Sequence, residues 1–171
     1  MSSGGLYLNC GSGQRPFSAP WINIDAQAKW KPDVVADCAS LPFYADGSCD
    51  MIVMHHVLEH FGCGEGQGML REARRLLRPG GSLIITVPDL RALAQAWLMH
   101  KLDTQIYVTN LYGAFMGDDH DRHRWGFTYE SLGRELEHCG PWQAVRPFNW
   151  RPITGADIAR DFWILGIEAE R

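Results

Sequence analysis

The 171-residue chain predicts an α/β fold built on a doubly wound, mostly parallel sheet. Three observations predict it. Short apolar runs recur at 6–10, 21–25, 33–37, 49–54 and 83–87, and the fourth is almost entirely apolar, as the centre of a parallel sheet requires. Stretches with helical spacing of apolar residues alternate with the later runs. The first run, Leu6 to Cys10, empties into Gly11-Ser12-Gly13, and the second, Trp21 to Ile24, ends on Asp25. Such a layout brings a nucleotide-like ligand to a backbone turn, with an acid at the next strand end to take ribose hydroxyls.

Each element follows from its residues. Between Cys10 and Trp21, Pro16 and Pro20 oppose a helix, so the first crossover reads as a bare loop or very short turn. The third strand ends on Asp37, and Cys38 to Phe43 is a loop because Pro42 biases Leu41 away from helix. Asp46-Gly47-Ser48 is a turn into the fourth strand, which runs on into His55 to Phe61 and a glycine-spaced segment, 62–68. Met69, Leu70, Ala73, Leu76 and Leu77 build one helical face, with Arg74, Arg75 and Arg78 in the last turns where cations suit the dipole. Pro79-Gly80-Gly81 is expected to stop that helix. After the fifth strand, Asp89 can cap a helix whose face is Leu90, Leu93, Ala94, Trp97 and Leu98, the last two read as core. A helix is expected over 104–116 with Ile106, Tyr107, Leu111 and Phe115 as its apolar side, then a polar loop over 118–124. Thr128 caps a helix carrying Leu132, Leu136 and Cys139, and 142–148 and 161–168 read as two final strands paired as a hairpin.

Length predicts one domain over 1–171. A net charge of -4 and a pI near 5.9 give no reason to expect nucleic acid or an anionic membrane as partner. The start shows no signal-peptide pattern and no run is long enough to span a bilayer, so a cytoplasmic protein is expected. Cys10, Cys38, Cys49, Cys63 and Cys139 are odd in number and include no Cys-x-x-Cys pair, which argues for reduced thiols and against a zinc ribbon. Most of the seven tryptophans are expected in the core, although aromatics lining a ligand pocket have the same signature.

Several segments together resemble a known family. Leu8-Asn9-Cys10-Gly11-Ser12-Gly13 with Trp21-Ile22-Asn23-Ile24-Asp25 is similar to the first two motifs of class I S-adenosylmethionine-dependent methyltransferases of the type 11 group. Asp37 to Phe43, then Asp46 and Cys49-Asp50, resemble that family's third-strand loop and fourth strand. Val57-Leu58-Glu59-His60-Phe61, Leu76-Leu77-Arg78-Pro79-Gly80-Gly81 and Trp125-Gly126-Phe127-Thr128 complete the series in order. The resemblance spans roughly residues 6 to 140 and implies a Rossmann-like methyltransferase fold of about seven strands, the last two an antiparallel edge. It implies S-adenosyl-L-methionine as cofactor, cradled by Gly11 and Gly13, with Asp25 on the ribose, Asp37 and the Cys38 amide on the adenine, and His55 beside the methionine end. Asn9, where the family usually has an acid, is counted with these cofactor-binding residues, able to accept a hydrogen bond but without the charge. The acceptor is expected to be a small molecule, covered by an insertion at 88–127, and no oligomeric state is predicted.

In that setting the 118–124 loop lies over the cofactor. His60, His120 and Trp125 become candidate acceptor-binding residues and His123 the best candidate for a general base, since imidazole titrates near neutrality. No metal is predicted. His56-Val57-Leu58-Glu59-His60 nevertheless spells H-x-x-E-H, which on a helix would place two histidines on one face for zinc. The alternatives to methyl transfer are therefore a zinc-dependent hydrolase using His56, Glu59 and His60, or a methyltransferase-like domain that binds without turnover.

Overall fold

The structure, a computed structural model, describes residues 5–114, 119–149, 152 and 163–171. Seven strands form one sheet: β1 (Tyr7–Cys10), β2 (Trp21–Asp25), β3 (Val34–Val35), β4 (Cys49–His55), β5 (Leu77–Pro88), β6 (Ala144–Pro147) and β7 (Ile164–Glu170). Their order is β3-β2-β1-β4-β5-β7-β6, the first five mutually parallel and β7 antiparallel to both its neighbours. The antiparallel edge is thus present. The hairpin partners are shorter or later than the sequence suggests, and residues 161–162 of the last predicted strand lie outside the described residues.

Among the described residues, four α-helices accompany the sheet: α1 (Gln67–Leu76), α2 (Leu90–Leu98), α3 (Thr104–Tyr112) and α4 (Tyr129–His138). Alternation along the strands divides the core into two layers. Leu83, Ile85, Val87, Leu165 and Ile167 face a large cluster with Met69, Leu70 and Leu76 of α1 and Leu132 and Leu136 of α4. Trp163 and Ile164 join Leu93 and Ala96 of α2, Leu102 and Tyr107 of α3 in a smaller cluster. The opposite parity of Ile164 and Leu165 puts these clusters on opposite faces, so the sheet is doubly wound. Among the described residues between β1 and β2 there is no helix; Ala19-Pro20 is a cis peptide and the crossover is a loop.

Several expectations fail for physical reasons. The third strand shrinks to two residues, with Asp33 and Asp37 outside it. Helix α1 stops at Leu76, and the 77–81 segment is already strand, Leu77 pairing with Cys49. Arg78 accordingly faces Asp50 at 2.8 Å instead of a helix terminus. Trp97 and Leu98 are 38% and 68% exposed; the buried positions of α2 are Leu93 and Ala96, one helical step round from the predicted face. Trp97 instead stacks on Tyr107 with ring centroids 5.1 Å apart. Helix α3 ends at Tyr112, where Gly113 turns out at φ +86, and none of its residues is buried; Phe115 lies outside the described residues. Of the described tryptophans only Trp163 is buried. The predicted caps hold: Asp89 accepts from the Arg91 and Ala92 N–H groups, and Thr128 forms a capping box with Ser131. All five cysteines are unpaired thiols. Among the described residues, no helix is long and apolar enough to cross a membrane.

Candidate functional site

The parallel strands deliver their carboxyl ends to one edge of the sheet, and strand order reverses between β1 and β4, the place where such sheets bind ligands. There β1 passes into Gly11 and β4 ends in His55. Gly11 has φ +73, and a Cβ on it would lie 2.5 Å from Val57 Cγ2, so only glycine fits. The Gly11 and Ser12 N–H groups both donate to the Ile24 carbonyl, at 2.8 and 3.1 Å. Gly13, at φ +48, donates its N–H to Asp25 Oδ2 at 2.8 Å, and Gln27 N–H donates to Oδ1 at 2.8 Å. The buried Asp25 carboxylate therefore fixes the glycine turn, and each oxygen retains a second acceptor position. Beside it, Ser12 Oγ is buried without a hydrogen-bond partner among the described residues.

Beneath the turn lies an amide network. Asn9 Nδ2 donates to Asn23 Oδ1 at 2.9 Å, which also accepts from Phe17 N–H at 2.7 Å. Asn23 Nδ2 donates to the Phe17 carbonyl at 3.0 Å and to Asp33 Oδ2 at 2.9 Å. Those two bonds fix which way the Asn23 amide faces, so the buried residue at position 9 must supply a donor. That explains asparagine where the family places an acid. On the other strand, His55 Nδ1 and Thr86 Oγ1 lie 2.5 Å apart. Burial above all, then His56 and Arg15, push the His55 ring down to about 3, so it is neutral at physiological pH.

Two adjoining cavities flank the turn, sharing Gly11, Gly13, Gln14 and His56. The first, about 230 Å³, is lined by Asp25, Asp37, Cys38, Trp30 and Met69, and also by His60 and His120. The second, about 500 Å³, is lined by Asn9, Ser12, Arg15, His55, Asn110 and Trp163. A side chain on Gly13 would meet no protein atom within 4 Å; it would project into open space beside the turn. The cradle fits S-adenosylmethionine: paired acceptors at Asp25, a buried hydroxyl at Ser12 unpartnered among the described residues, a cation at Arg15, and apolar lining from Trp30 and Met69.

The segment after β4 is not an α-helix. Leu58–His60 is a single 3₁₀ turn, and His56 precedes it at φ +55. The pair His56 and His60 thus does not occupy one helical face, and His56 Nδ1 is engaged with Glu59 Oε1 at 2.8 Å. Burial alone would raise the Glu59 carboxyl; the bond to His56 and the proximity of His60 and His123 reverse that, and it is held below its ordinary range. His123 is held below the usual imidazole range, chiefly by burial. Its ring packs edge-to-face on His60 with centroids 4.9 Å apart.

Of the residues singled out in the sequence, Gly11, Gly13, Asp25, Asp37 and Cys38 line the first cavity with His60 and His120, while Asn9 and His55 line the second. Trp125 is elsewhere, beside Phe127 in a small crevice with Leu58 and Gln67. His123 lines neither cavity. Sequence reasoning missed Ser12, Arg15, Trp30, Asn110 and Trp163; only the last three had a faint signal, as aromatics or amides with no assigned core role.

Comparison with known proteins agrees with this geometry. A family described as a methyltransferase domain matches residues 17–85. No curated protein matches the chain. Among solved structures, a SAM-dependent methyltransferase from Archaeoglobus fulgidus is similar with a TM-score of 0.65 at 16% identity, over 99% of this chain and 87% of that one. A second, from Methanosarcina mazei, gives 0.62 at 18% identity over 100% and 94%. A Haemonchus contortus phosphoethanolamine N-methyltransferase 2, in complex with phosphomonomethylethanolamine and S-adenosylhomocysteine, gives 0.61 at 12% identity, over 100% of this chain and 50% of that one. Fold and family match together bear out the resemblance to class I S-adenosylmethionine-dependent methyltransferases.

Proposed function

We propose that the protein binds S-adenosyl-L-methionine across the ends of β1, β2 and β4 and transfers its methyl group to a small-molecule acceptor. The observation that carries this reading is the turn at Gly11–Gly13, held at Gly13 N–H by Asp25 Oδ2 while Oδ1 takes Gln27 N–H, within a cavity that also holds Asp37 and Cys38. When bound, the cofactor supplies a methyl group already activated by a cationic sulfur. The chain's task is then to bind, align and exclude water. Asp25 accepts from the ribose hydroxyls, a charge-assisted pair. Asp37, whose Oδ1 takes only the Ala39 N–H at 2.8 Å among the described residues, accepts from the adenine amine. Arg15 and Ser12 Oγ suit the carboxylate of the methionine end. Neutral His55 adds no repelling charge beside a cationic sulfur. Asn110 and Trp163 form the wall through which an acceptor would be selected, and the 88–127 insertion supplies the first of them. The same reading keeps 1–171 as one methyltransferase domain working in the cytoplasm, with no part for nucleic acid or membrane.

Calorimetric titration with S-adenosylmethionine tests it. The wild type should bind one equivalent. Asp37→Ala, which removes an exposed side chain, should weaken binding about tenfold, the loss of one charge-assisted hydrogen bond. Asp25→Ala should weaken it by more than a hundredfold, because two such bonds and the turn are lost. A wild type that takes up no cofactor overturns the reading.

A further inference from the structure

The cluster left unused by this mechanism is the group of imidazoles around Glu59. One donor atom from each of Glu59, His60 and His123 lies within 4.8 Å of the other two. Glu59 is 1% exposed, and while its Oε1 meets His56, its Oε2 is buried with no partner among the described residues. A buried carboxylate oxygen without a partner is costly and calls for an explanation. The two histidines supply it. His60 Nδ1 lies 3.1 Å from the Arg122 carbonyl, and His123 Nδ1 lies 2.8 Å from the Asn110 carbonyl. A carbonyl only accepts, so both Nδ1 atoms carry a proton, and in the neutral ring the lone pair is then at Nε2. Main-chain carbonyls impose this tautomer on metal-ligating histidines.

We propose that Glu59, His60 and His123 form a binding site for one divalent ion of the first transition row, zinc in the first instance. Two imidazoles and one carboxylate suit such an ion and do not suit magnesium or calcium, which take oxygen donors. The contact with His56 engages Oε1 alone and leaves Oε2 without a donor among the described residues, so that pair does not account for the second oxygen. Donors about 2.1 Å from a common ion at tetrahedral angles lie roughly 3.4 Å apart, so groups within 4.8 Å of one another need to draw in by at most about 1.4 Å. The backbone is already held for that: the Arg124 and Trp125 N–H groups donate to the Glu59 carbonyl at 2.7 and 3.2 Å, tying the His123 loop to the turn that carries Glu59 and His60. Three protein ligands leave a coordination position for water or another small ligand. The set differs from the H-x-x-E-H pair of the sequence, because His56 serves Glu59 instead of the ion. This inference stands apart from methyl transfer and does not rest on it.

The test is metal binding by the full-length protein after chelation. Zn²⁺ should bind at about one equivalent, and Co²⁺ should give visible ligand-field bands that Zn²⁺ abolishes. His60→Ala and His123→Ala should each weaken Zn²⁺ binding at least about tenfold, while Cys63→Ser, removing the exposed thiol, should leave it unchanged. Should either histidine variant fail to fold, histidine ¹⁵N spectra of the wild type decide: on adding Zn²⁺ the Nε2 signals of His60 and His123 must move while their Nδ1 atoms stay protonated. Uptake below about a tenth of an equivalent, or binding that leaves both Nε2 signals unmoved, overturns the proposal.

Discussion

Replacing Asn9 by aspartate introduces the acid usual in the methyltransferases that the chain resembles, and the structure predicts that this does harm. Asn9 is 1% exposed and Asn23 is 5% exposed, and the bond between them is 2.9 Å from Nδ2 to Oδ1. Asn23 cannot turn its amide to help, since its Nδ2 is engaged by both the Phe17 carbonyl and Asp33, and its Oδ1 already accepts from Phe17 N–H. A carboxylate at position 9 would set acceptor against acceptor in a buried site. Losing the bond and leaving a buried charge unpaired costs about 3 kcal/mol. Protonation would restore a donor, so the new carboxyl should have its pKa raised by about 2, to roughly 6. An acid whose folded value is raised is penalised fully above that value, and the penalty shrinks as pH falls toward the unfolded value near 4. Urea unfolding of wild type and Asn9→Asp at pH 7 and pH 5 measures this. The gap should be about 3 kcal/mol at pH 7 and roughly half that at pH 5, with m unchanged. Equal stability of the two proteins at pH 7 would refute the reasoning, and so would a gap that widens on acidification.

Further predictions follow from other contacts. Gly11→Ala combines a positive φ with a 2.5 Å approach to Val57, so it should cost about 2 kcal/mol or more in thermal or urea unfolding, and adding Val57→Ala should recover only the steric part. Glu72→Ala removes the acceptor of the Leu41 N–H, at 2.6 Å, and one anchor of Arg75, so it should cost about 2 kcal/mol and speed amide exchange through the Asp37–Leu41 loop, whose Asp37 and Cys38 line the first cavity. His55 is held at about 3, below the 6.5 or so of an unfolded chain, so the unfolded state takes up more protons and the associated stability is full above about pH 6.5 and lost as pH falls toward 3. His123, held low by burial, acts in the same direction, whereas Glu59, lowered from 4.5, contributes stability that disappears only below about that pH. Unfolding free energy should therefore fall between pH 6.5 and 5 by as much as about 1.4 kcal/mol per pH unit for His55, and His55→Gln should flatten that slope.

The parts of the fold legible in the sequence were those fixed by local chemistry. Glycine at 11 and 13, the acid at 25, the Asp89 and Thr128 caps and the apolar run at 49–54 each announce a backbone conformation that few other residues would accept. The strand carboxyl ends followed, and with them most of the residues that line the two cavities beside the glycine turn. Errors arose where two local signals competed. Arg78-Pro79-Gly80-Gly81 reads as a helix stop, yet pairing with β4 captures Leu77 a residue earlier. Trp97 and Leu98 continue an apolar helical face, but the positions of α2 that the cluster with Leu102 and Trp163 buries are Leu93 and Ala96, and Trp97 lies at its edge on Tyr107. The Glu59, His60 and His123 group was out of reach because it joins residues some sixty positions apart, and because the spacing of His56 and His60 mimics a helix that the 3₁₀ turn does not form.

The central claim is that the Gly11–Gly13 turn and Asp25 hold an adenosyl cofactor. A crystal structure of the protein grown with S-adenosylhomocysteine tests it most directly. The account predicts the ribose hydroxyls within hydrogen-bond distance of both Asp25 oxygens, with the adenine in the cavity beside Asp37 and Cys38. A ligand bound away from Asp25, or a cavity that stays solvent-filled at saturating ligand, would contradict it.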